Sequence, residues 1–491
     1  MQIKTQKKIK KTQGLLVVPF CKDYAKKYPA VYTQELKNLL KNPLKEKEFK
    51  GNESEILYFT TASKTLNEKI LFFGCGEANK FGASSARNLG AGICADAKSR
   101  KQKTITILLT PELKLYVQEL VEGLALKNYR ISKYKTGDEY TKEQKKELKE
   151  VILIVEKADK TQKLAKKALI LAQATNITKD LVNGPANIID ADYFERIARE
   201  LKRDYGYKLT VLNKTKLEKQ GWGGLLAINS GAHKPAKCLI LEYKGGSGSQ
   251  APIVLVGKGV IFDTGGYNLK PGRHMTDMHS DKGGASAVLG IFAALKELKI
   301  KQNVVGIIPL TENMIDGKAV RPSDVITMLN KKTVEVINTD AEGRIILADA
   351  LTYGARLNPK YLIDIATLTG SVMAALGDRY SGVLGTDKEL NQMLIKTGEE
   401  TDELMWELPL HKDHKAKMKS KVADILNCDN GTSHLAGASK GAAFLSYFVG
   451  KNKWAHIDIA GTAFVKDPKK YEQRGATGAG VRPLLKFLED L

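Results

Sequence analysis

Short apolar runs of strand length alternate with helix-like runs along almost the whole chain, and this alternation restricts the fold more than any other feature. It predicts α/β architecture with a largely parallel sheet in the first third. The predicted strands there are Leu15–Val18, Ile56–Phe59, Lys69–Gly74, Thr104–Leu109 and Val151–Val155, and the predicted helices are Ser84–Lys98, Pro111–Ala125 and Thr141–Lys149.

A long helix predicted from about Asp159 to Leu181 separates this first third from the rest of the chain. Asn183-Gly184-Pro185 follows the helix and is a typical stop signal. We interpret the helix (159–182) as a connector between an N-terminal α/β domain (1–158) and a C-terminal α/β domain (183–491). A chain of 491 residues is too long for one compact core, which also favours two domains.

The alternation resumes after the connector, and we expect a central mixed sheet flanked by helices in this second domain. The predicted strands are Lys208–Leu212, Cys238–Tyr243, Ile253–Val256, Val304–Pro309, Tyr361–Leu368, Ser381–Gly385 and Ala455–Ile459. The clearest helices are Gly283–Leu298, which carries an apolar stripe, and Ala341–Leu357.

Composition excludes several protein classes. A hydrophobic content of 43% and a charged content of 27% are ordinary for a globular protein. No window approaches the eighteen apolar residues of a membrane span, and the run Gly14–Phe20 is too short for a signal-peptide core. The five cysteines are scattered and form no CxxC pair, which favours a reducing, cytoplasmic location over a disulfide framework.

The net charge of +23 is the strangest global feature. It allows binding to nucleic acid or to an anionic surface. The lysines are spread widely and alternate with glutamate, however, as in the stretch 141–150. We therefore favour a lysine-rich, solvated surface over a nucleic-acid site.

Seven residues, Asn338-Thr-Asp-Ala-Glu-Gly-Arg344, carry the strongest chemical signal. They place Asp340, Glu342 and Arg344 where a strand-like run (Thr333–Asn338) gives way to a helix-like run. Buried like charges repel, and each costs several kcal/mol to desolvate unless a group of opposite charge lies among them. A pair of divalent metal ions would supply that charge.

A second cluster lies between Val256 and Pro271. Asp263 comes just past the strand Ile253–Val256 and precedes two glycines, and Asp281 is predicted to begin a helix. With Asp340 and Glu342 these residues make four carboxylates without histidine or cysteine, which is a hard oxygen site suited to Mn, Mg or Zn.

Two lysines, Lys258 and Lys270, belong to this cluster. Beside a dication an ammonium pKa falls, so a neutral amine can bind the metal, while the other lysine can stay charged and stabilise an oxyanion. The predicted reaction class is metal-assisted amide hydrolysis. Each residue alone is more often a helix cap, a solvated lysine or an ion-pair partner, but seven in two compact clusters favour a site.

These clusters resemble the signature of the M17 leucyl aminopeptidases, the cytosol aminopeptidase family. The resemblance covers about 180–491, whereas the N-terminal third matches only in size and strand–helix rhythm and would be a macro-like α/β domain. The matching stretches are Asp180–Asn183 with Pro185, Val256–Pro271, Met275–Asp281, Thr311–Met314, Arg321–Val325, Asn338–Arg344, Asp364–Gly370 and Trp454–Gly461.

The resemblance implies a two-metal exopeptidase that removes an N-terminal residue, often leucine, from peptides. The implied metals are two divalent ions, Mn or Zn, or alternatively Mg or Co. The more exchangeable ion would be held by Lys258, Asp263, Asp281 and Glu342, and the other by Asp263, Glu342 and Asp340 with its carbonyl.

The resemblance also implies roles around these metals. Lys270 would be the electrophile, and Arg344 would hold a bicarbonate ion that acts as general base. A homohexamer, as a dimer of trimers, is usual in the family. The side-chain pocket would be lined by Met278, Thr367, Gly370 and Ala460.

The chain departs from the family pattern in two places. Lys282-Gly283 follows Asp281 where an apolar and a small residue are common, so Lys282 either tunes metal affinity or points outward. The loop 423–437 and the basic run 411–421 before it differ too, which affects the expected substrate preference. Alternative functions are a DNA-binding accessory protein that uses the basic surface and a dipeptidase for Cys-Gly.

Overall fold

The computed structural model describes residues 1–11, 14–131, 134–138, 140–141, 146–156, 158–429, 435–468 and 470–491. It divides into two compact units. The smaller unit is Met1–Gln173 with Pro468–Gln473, and the larger unit is Ala174–Asp467 with Arg474–Leu491. In the described part of the chain, no helix has both the length and the apolar character needed to cross a membrane.

The smaller unit is built on a six-stranded sheet in the order β1-β6-β5-β2-β4-β3, in which only the β3–β4 pair is antiparallel. Its strands are β1 Gln2–Gln6, β2 Leu15–Cys21, β3 Ile56–Thr60, β4 Lys69–Gly76, β5 Thr104–Leu108 and β6 Glu150–Ile154. Its helices are α1 Gln34–Lys45, α2 Ala83–Ser99, α3 Pro111–Leu115 and α4 Val117–Asn128, and α5 Ala158–Asn183 follows them.

The five strands predicted for this unit are confirmed; four of them are apolar runs that the sheet buries, whereas β3, at an edge, has no buried residue. In β2 all seven residues are buried, as expected of a central parallel strand covered on both faces. The sequence prediction missed β1, whose residues Gln2-Ile3-Lys4-Thr5-Gln6 are mostly polar and bury only Ile3. β1 is an edge strand and pairs with β6 alone.

Two helix predictions in this unit need correction. The predicted helix Pro111–Ala125 is two helices, α3 and α4, because Tyr116 leaves the helical conformation with φ −122° and ψ 38°. Of the predicted helix Thr141–Lys149, residues 142–145 lie outside the described residues, and residues 146–149 are a turn and an extended segment leading into β6.

The larger unit contains a mixed sheet, as predicted, and among the described residues it has nine strands where the sequence predicted seven. Its main path is β16-β15-β18-β14-β9-β11-β8-β7, and β10 pairs with β11 beyond the end of β9. These strands are β7 Lys208–Leu212, β8 Lys237–Lys244, β9 Ile253–Gly257, β10 Gly259–Asp263, β11 Asn303–Asn313, β14 Tyr361–Ala366, β15 Ser381–Gly385, β16 Met405–Glu407 and β18 Trp454–Asp458.

Helices cover this sheet, and a small sheet of three strands lies in the same unit. The helices are α6 Ala191–Tyr205, α7 Lys214–Gln220, α8 Gly223–Asn229, α9 Gly283–Phe292, α10 Glu342–Ala355, α11 Gly370–Leu376, α12 Lys388–Thr401, α13 Lys412–Ala416, α14 Gly437–Leu445 and α15 Val481–Asp490. The three-stranded sheet is β12 Val325–Thr327, β13 Thr333–Glu335 and β17 Ile425–Leu426, and β19 Phe464–Val465 pairs with β20 Gly475–Ala476.

One face of the large sheet packs against α8, α10 and α14 around a core that includes Val254, Ile346 and Phe444. Apolar burial of this kind is the main force that holds the sheet and helices together. It fixes the carboxyl ends of the central strands, where open α/β sheets place their ligands. The predicted helix Gly283–Leu298 is shorter than expected, because the chain leaves α-helical hydrogen bonding after Phe292.

Candidate metal centre

Asp263 is held at the end of β10, next to the end of β11. Asn313 lies in register with it, and Asn313 Nδ2 donates to Asp263 Oδ1 at 2.8 Å. The amide of Gly265 donates to the same oxygen at 2.9 Å. The prediction that Asp263 lies just past the strand Ile253–Val256 is wrong, because the chain forms a second short strand, β10, along β11 before it reaches Asp263.

A tight glycine turn brings Lys270 back over Asp263. Gly265 and the glycine after it have φ values of 86° and 60°, and a Cβ on Gly265 would lie 2.4 Å from the carbonyl oxygen of Asn268. Only glycine adopts this turn without strain. As a result Lys270 Nζ lies 2.8 Å from Asp263 Oδ2 and 2.6 Å from Asp340 Oδ1.

The segment 338–344 is positioned by a side chain rather than by a strand partner. Asn427 Oδ1 accepts from the amide of Ile337 at 2.8 Å, and Asn427 Nδ2 donates to the Asn338 carbonyl at 2.6 Å. The predicted strand Thr333–Asn338 therefore ends at Glu335. The turn that follows is closed by the Asp340 amide, which donates to Asn338 Oδ1 at 2.7 Å.

Lys258 forms a second group of charges with Asp281 and Glu342. Lys258 Nζ lies 2.7 Å from Asp281 Oδ2 and 3.0 Å from Glu342 Oε1, and it donates to the carbonyl of Thr367 at 2.8 Å. All three charged side chains are buried. Gly343 makes room for this contact, since a Cβ there would lie 2.3 Å from Lys258 Cε.

Asp281 reaches the group from a 3-10 turn. The prediction that it begins a helix is wrong: it follows the turn Met278–Ser280, and α9 starts at Gly283. Its carbonyl accepts from the Val260 amide at 3.3 Å, which ties the turn to β10. The position of Asp281 is therefore fixed by the sheet and not by a helix dipole.

The carboxylates fit a divalent cation. Asp263, Asp340 and Glu342 can each offer an oxygen such that the three oxygens lie within 4.8 Å of one another, while Asp281 lies outside this group of three. Within the described residues, Glu342 Oε2 is buried and has no hydrogen-bond partner. A buried carboxylate oxygen without a donor is costly, and a bound cation would satisfy it.

Burial and mutual repulsion perturb the charges of the site. Burial, with the neighbouring charge of Asp263, raises the pKa of Asp281 to about 6, of Asp340 to about 6 and of Glu342 to about 7. Burial acts to lower the pKa of Lys258 and of Lys270, but the surrounding carboxylates outweigh it and raise both above the ordinary lysine value. The two ammonium groups are counter-ions of the carboxylates.

Arg344 lies on the first turn of α10 with only 8% of its surface exposed. Its guanidinium donates to the Asn427 carbonyl at 3.0 Å, and its Nε has no hydrogen-bond partner among the described residues. Burial lowers the pKa of Arg344, although Cys428 and Glu342 oppose the effect. A guanidinium always remains charged in proteins, so this one has unused capacity for an anion.

All eleven sequence-predicted site residues line one cavity of about 410 Å³. It brings the metal-ligand candidates together with the predicted pocket residues Met278, Thr367, Gly370 and Ala460. Further lining residues that were not singled out from the sequence include His274, Met373 and Phe464. Cavities of this size, with an apolar wall and a few convergent polar groups, are typical ligand sites.

Comparison with known proteins identifies the family. The model of the catalytic domain of the cytosol aminopeptidase family matches residues 176–485, more than half of the chain. The chain belongs to the cytosol aminopeptidase family. The model of this family's N-terminal domain matches residues 17–138. Membership implies a metal-dependent aminopeptidase, which is a hydrolase.

Individual members of the cytosol aminopeptidase family resemble the chain over nearly its full length. The probable cytosol aminopeptidase of Geotalea uraniireducens is 39% identical and covers 91% of this chain and 90% of its own. The probable cytosol aminopeptidase of Protochlamydia amoebophila is 38% identical and covers 98% of this chain and 97% of its own. The solved structure of the bottromycin maturation enzyme BotP in complex with Mn has a TM-score of 0.84 and 28% identity, covering 98% of this chain and 99% of its own.

Three polar residues that position the cavity of this cytosol aminopeptidase homologue were not singled out from the sequence. Asn313 and Asn427 hold Asp263 and the segment 338–344, as described above. Buried Asp458 accepts from the Leu368 amide at 3.0 Å, from Thr369 Oγ1 at 2.7 Å and from the Ala460 amide at 3.2 Å. A polar residue at the end of an otherwise apolar strand was the available signal for Asn313 and Asp458.

Lys282 does not point outward, so that expectation is wrong. It is fully buried, and its Nζ donates to the carbonyls of Gly184 and His279. Burial lowers the pKa of Lys282 to about 7, although Asp281 opposes the effect. The ammonium joins the turn before Asp281 to the end of α5.

Proposed function

We propose that the protein is a two-metal aminopeptidase that releases N-terminal residues, with a preference for leucine, from peptides. The observation that carries this proposal is a single cavity that contains four carboxylates, two lysines and an apolar wall. Two cations bound there would supply Lewis acidity and a water molecule of lowered pKa. The family of the chain and its likeness to a structure that holds Mn support the choice of a metal enzyme.

The residues divide into two overlapping ligand sets. Lys258, Asp263, Asp281 and Glu342 would hold one cation, and Asp263, Asp340 and Glu342 would hold the other. The unpaired Glu342 Oε2 supports the inclusion of Glu342 in these ligand sets, since a bound cation would satisfy this oxygen while Oε1 faces Lys258. To bind the cation, Lys258 would have to give up its contacts with the carboxylates and lose its proton, because only a neutral amine can be a metal ligand.

Lys270 is the residue best placed to stabilise charge on the substrate. Its ammonium stands between Asp263 and Asp340 at the edge of the cavity, and these carboxylates keep it protonated. A protonated lysine can donate to the carbonyl oxygen of the peptide bond as negative charge develops there.

Arg344 provides a place for an anionic base. Among the described residues that line the cavity, no carboxylate is left over from the predicted metal ligands, and the histidine there, His274, is exposed. Bicarbonate fits the forked guanidinium, whose Nε is unpaired, and would accept the proton of the attacking water.

The side-chain pocket favours an aliphatic residue. The apolar surface of the pocket comes from Met278, Met373, Ala460 and Phe464, and Gly370 leaves room beside them. An aliphatic side chain gains roughly 1.5–3 kcal/mol from full burial. The free amine of the substrate would face the carboxylates, which restricts the enzyme to chain ends.

The test is hydrolysis of a leucine amide reporter by metal-stripped protein after addition of Mn, Zn, Co or Mg. We expect activity to return with metal in the parent protein and to stay absent in Asp340→Ala and Glu342→Ala. The exposed Glu297→Ala is the matched control and should behave like the parent. Activity in either site variant would contradict the metal assignment, and faster hydrolysis of Cys-Gly than of leucine substrates would change the specificity.

A further inference from the structure

A second cavity lies in the smaller unit, among residues that the proposed catalysis does not use. Its volume is about 330 Å³. Part of its wall comes from the carboxyl ends of three neighbouring parallel strands: Lys7 and Lys8 follow β1, Leu108 ends β5, and Ile154 ends β6. The carboxyl ends of parallel strands are where open α/β sheets bind their ligands.

The floor of this cavity is apolar and its rim is basic. Leu66, Leu108 and Ile154 are buried floor residues. Lys7 and Lys8 are exposed on the rim, and within the described residues neither has an ion-pair partner. We name this feature the lysine-rimmed cavity.

The local charge of the lysine-rimmed cavity is positive. Lys114 also lines it, and the one acidic lining residue, Glu156, is 81% exposed at its side chain and 4.0 Å from Lys114. The amino terminus of α1, which follows the lining residue Thr33, adds partial positive charge. Three lysines against one solvated glutamate favour an anion over a cation.

We propose that the lysine-rimmed cavity binds a small aliphatic carboxylate. The aliphatic tail would cover the apolar floor, and the carboxylate would lie at the rim against Lys7 and Lys8. The volume has room for about ten non-hydrogen atoms at the ~30 Å³ that a water molecule occupies in the liquid. A free amino acid with an aliphatic side chain and a fatty or branched acid share this chemistry.

Calorimetric titration of the full chain with 4-methylpentanoate tests the proposal. We expect a binding event that is about tenfold weaker in the double variant Lys7→Gln and Lys8→Gln, equivalent to about 1.4 kcal/mol, whereas binding in the proposed catalytic cavity is the same in this variant and the parent. Val31→Phe, which fills the cavity from its wall, should weaken binding at least as much. The matched control is Lys41→Gln with Lys45→Gln, two exposed lysines of α1 outside the cavity, which should bind like the parent.

Further probes define the ligand and exclude other sites. The 4-methylpentyl ammonium ion, with the same tail and the opposite charge, should bind at least tenfold more weakly. Leucine that competes with 4-methylpentanoate for the binding that the cavity variants weaken would assign an amino acid as the source, and leucine that does not compete for it would assign a simple acid. No binding at 10 mM, or binding unchanged in both cavity variants, would overturn the proposal. Retained leucine amide hydrolysis shows that each variant is folded.

Discussion

Replacing Glu342 by glutamine tests the electrostatic description of the site most directly. Glutamine keeps the shape of the side chain and removes one negative charge. In the metal-free protein that charge is buried, with 1% of the residue exposed, and lies among Asp263, Asp281 and Lys258. We expect E342Q to stabilise the metal-free protein and to abolish its stabilisation by metal.

The magnitude follows from the pKa of Glu342, which burial and the charge of Asp263 raise from 4.5 to about 7. A raised pKa means that the folded state holds its proton more tightly, so stability is present below pH 4.5 and is lost as pH rises toward 7. A difference of about 2.5 pKa units corresponds to about 3 kcal/mol. The loss of the negative charge that faces Lys258 offsets part of this free energy. We therefore expect E342Q to raise the free energy of unfolding by about 1–3 kcal/mol at pH 8.

The assay is thermal unfolding of EDTA-treated protein at pH 5 and pH 8, with and without Mn. At pH 8, E342Q should melt a few degrees above the parent without metal, since about 1 kcal/mol shifts Tm by roughly 1.5 °C in a domain of about 300 residues at about 2.1 cal/mol/K per residue. At pH 5 the two should nearly coincide. Mn at one hundred times its Kd should stabilise the parent by about 2.7 kcal/mol and E342Q by far less.

Two results would refute this reasoning. If metal-free E342Q melts below the parent at pH 8, the pairing with Lys258 outweighs the repulsion among the carboxylates. If Mn stabilises E342Q as much as the parent, Glu342 is not a ligand. The exposed Glu297→Gln is the control for a general effect of charge, and its Tm should follow the parent at both pH values.

Three further predictions concern neighbouring residues. Lys282→Met should stabilise the metal-free protein more at pH 6 than near pH 10. Burial lowers the pKa of Lys282 to about 7, so the buried side chain is a costly ammonium only at the lower pH. A lower Tm of the variant at pH 6 would show that the hydrogen bond from Lys282 to the Gly184 carbonyl dominates. Asn313→Ala, which removes the donor to Asp263, should weaken Mn binding by about 10–100-fold in a metal titration; an unchanged Mn affinity would contradict this. Arg344→Lys should slow leucine amide hydrolysis by about a hundredfold and remove any dependence of the rate on added bicarbonate; a preserved dependence would exclude the bicarbonate role.

The charged residues of the site could be predicted from the sequence because charged side chains in apolar surroundings are energetically costly unless a group of opposite charge lies among them. Asp263, Asp340 and Glu342 stand in glycine-rich, apolar surroundings, and the structure brings them within one cavity. The strands were predictable for a similar reason, since runs such as Leu15–Cys21 are apolar throughout. In both cases the residues themselves carry the information.

The residues that position the site were not predictable because their partners are distant in sequence. Asn427 bonds to the backbone of Ile337 and Asn338, about ninety residues away, and replaces a strand that the local sequence favoured. The burial of Lys282 likewise depends on the Gly184 carbonyl, 98 residues earlier. Single amides and lysines have many solvated roles, so only the folded arrangement distinguishes these two.

The two lysines partly balance the charge of the four carboxylates of the site. Lys258 pairs with Asp281 and Glu342, and Lys270 pairs with Asp263 and Asp340, so each ammonium neutralises part of the charge of two carboxylates. The same contacts occupy oxygens that a cation needs. A cation held by these residues would compete with the two ammonium groups and with the protons of the carboxylates whose pKa values are raised. We therefore expect the metal affinity of the site to increase as pH rises.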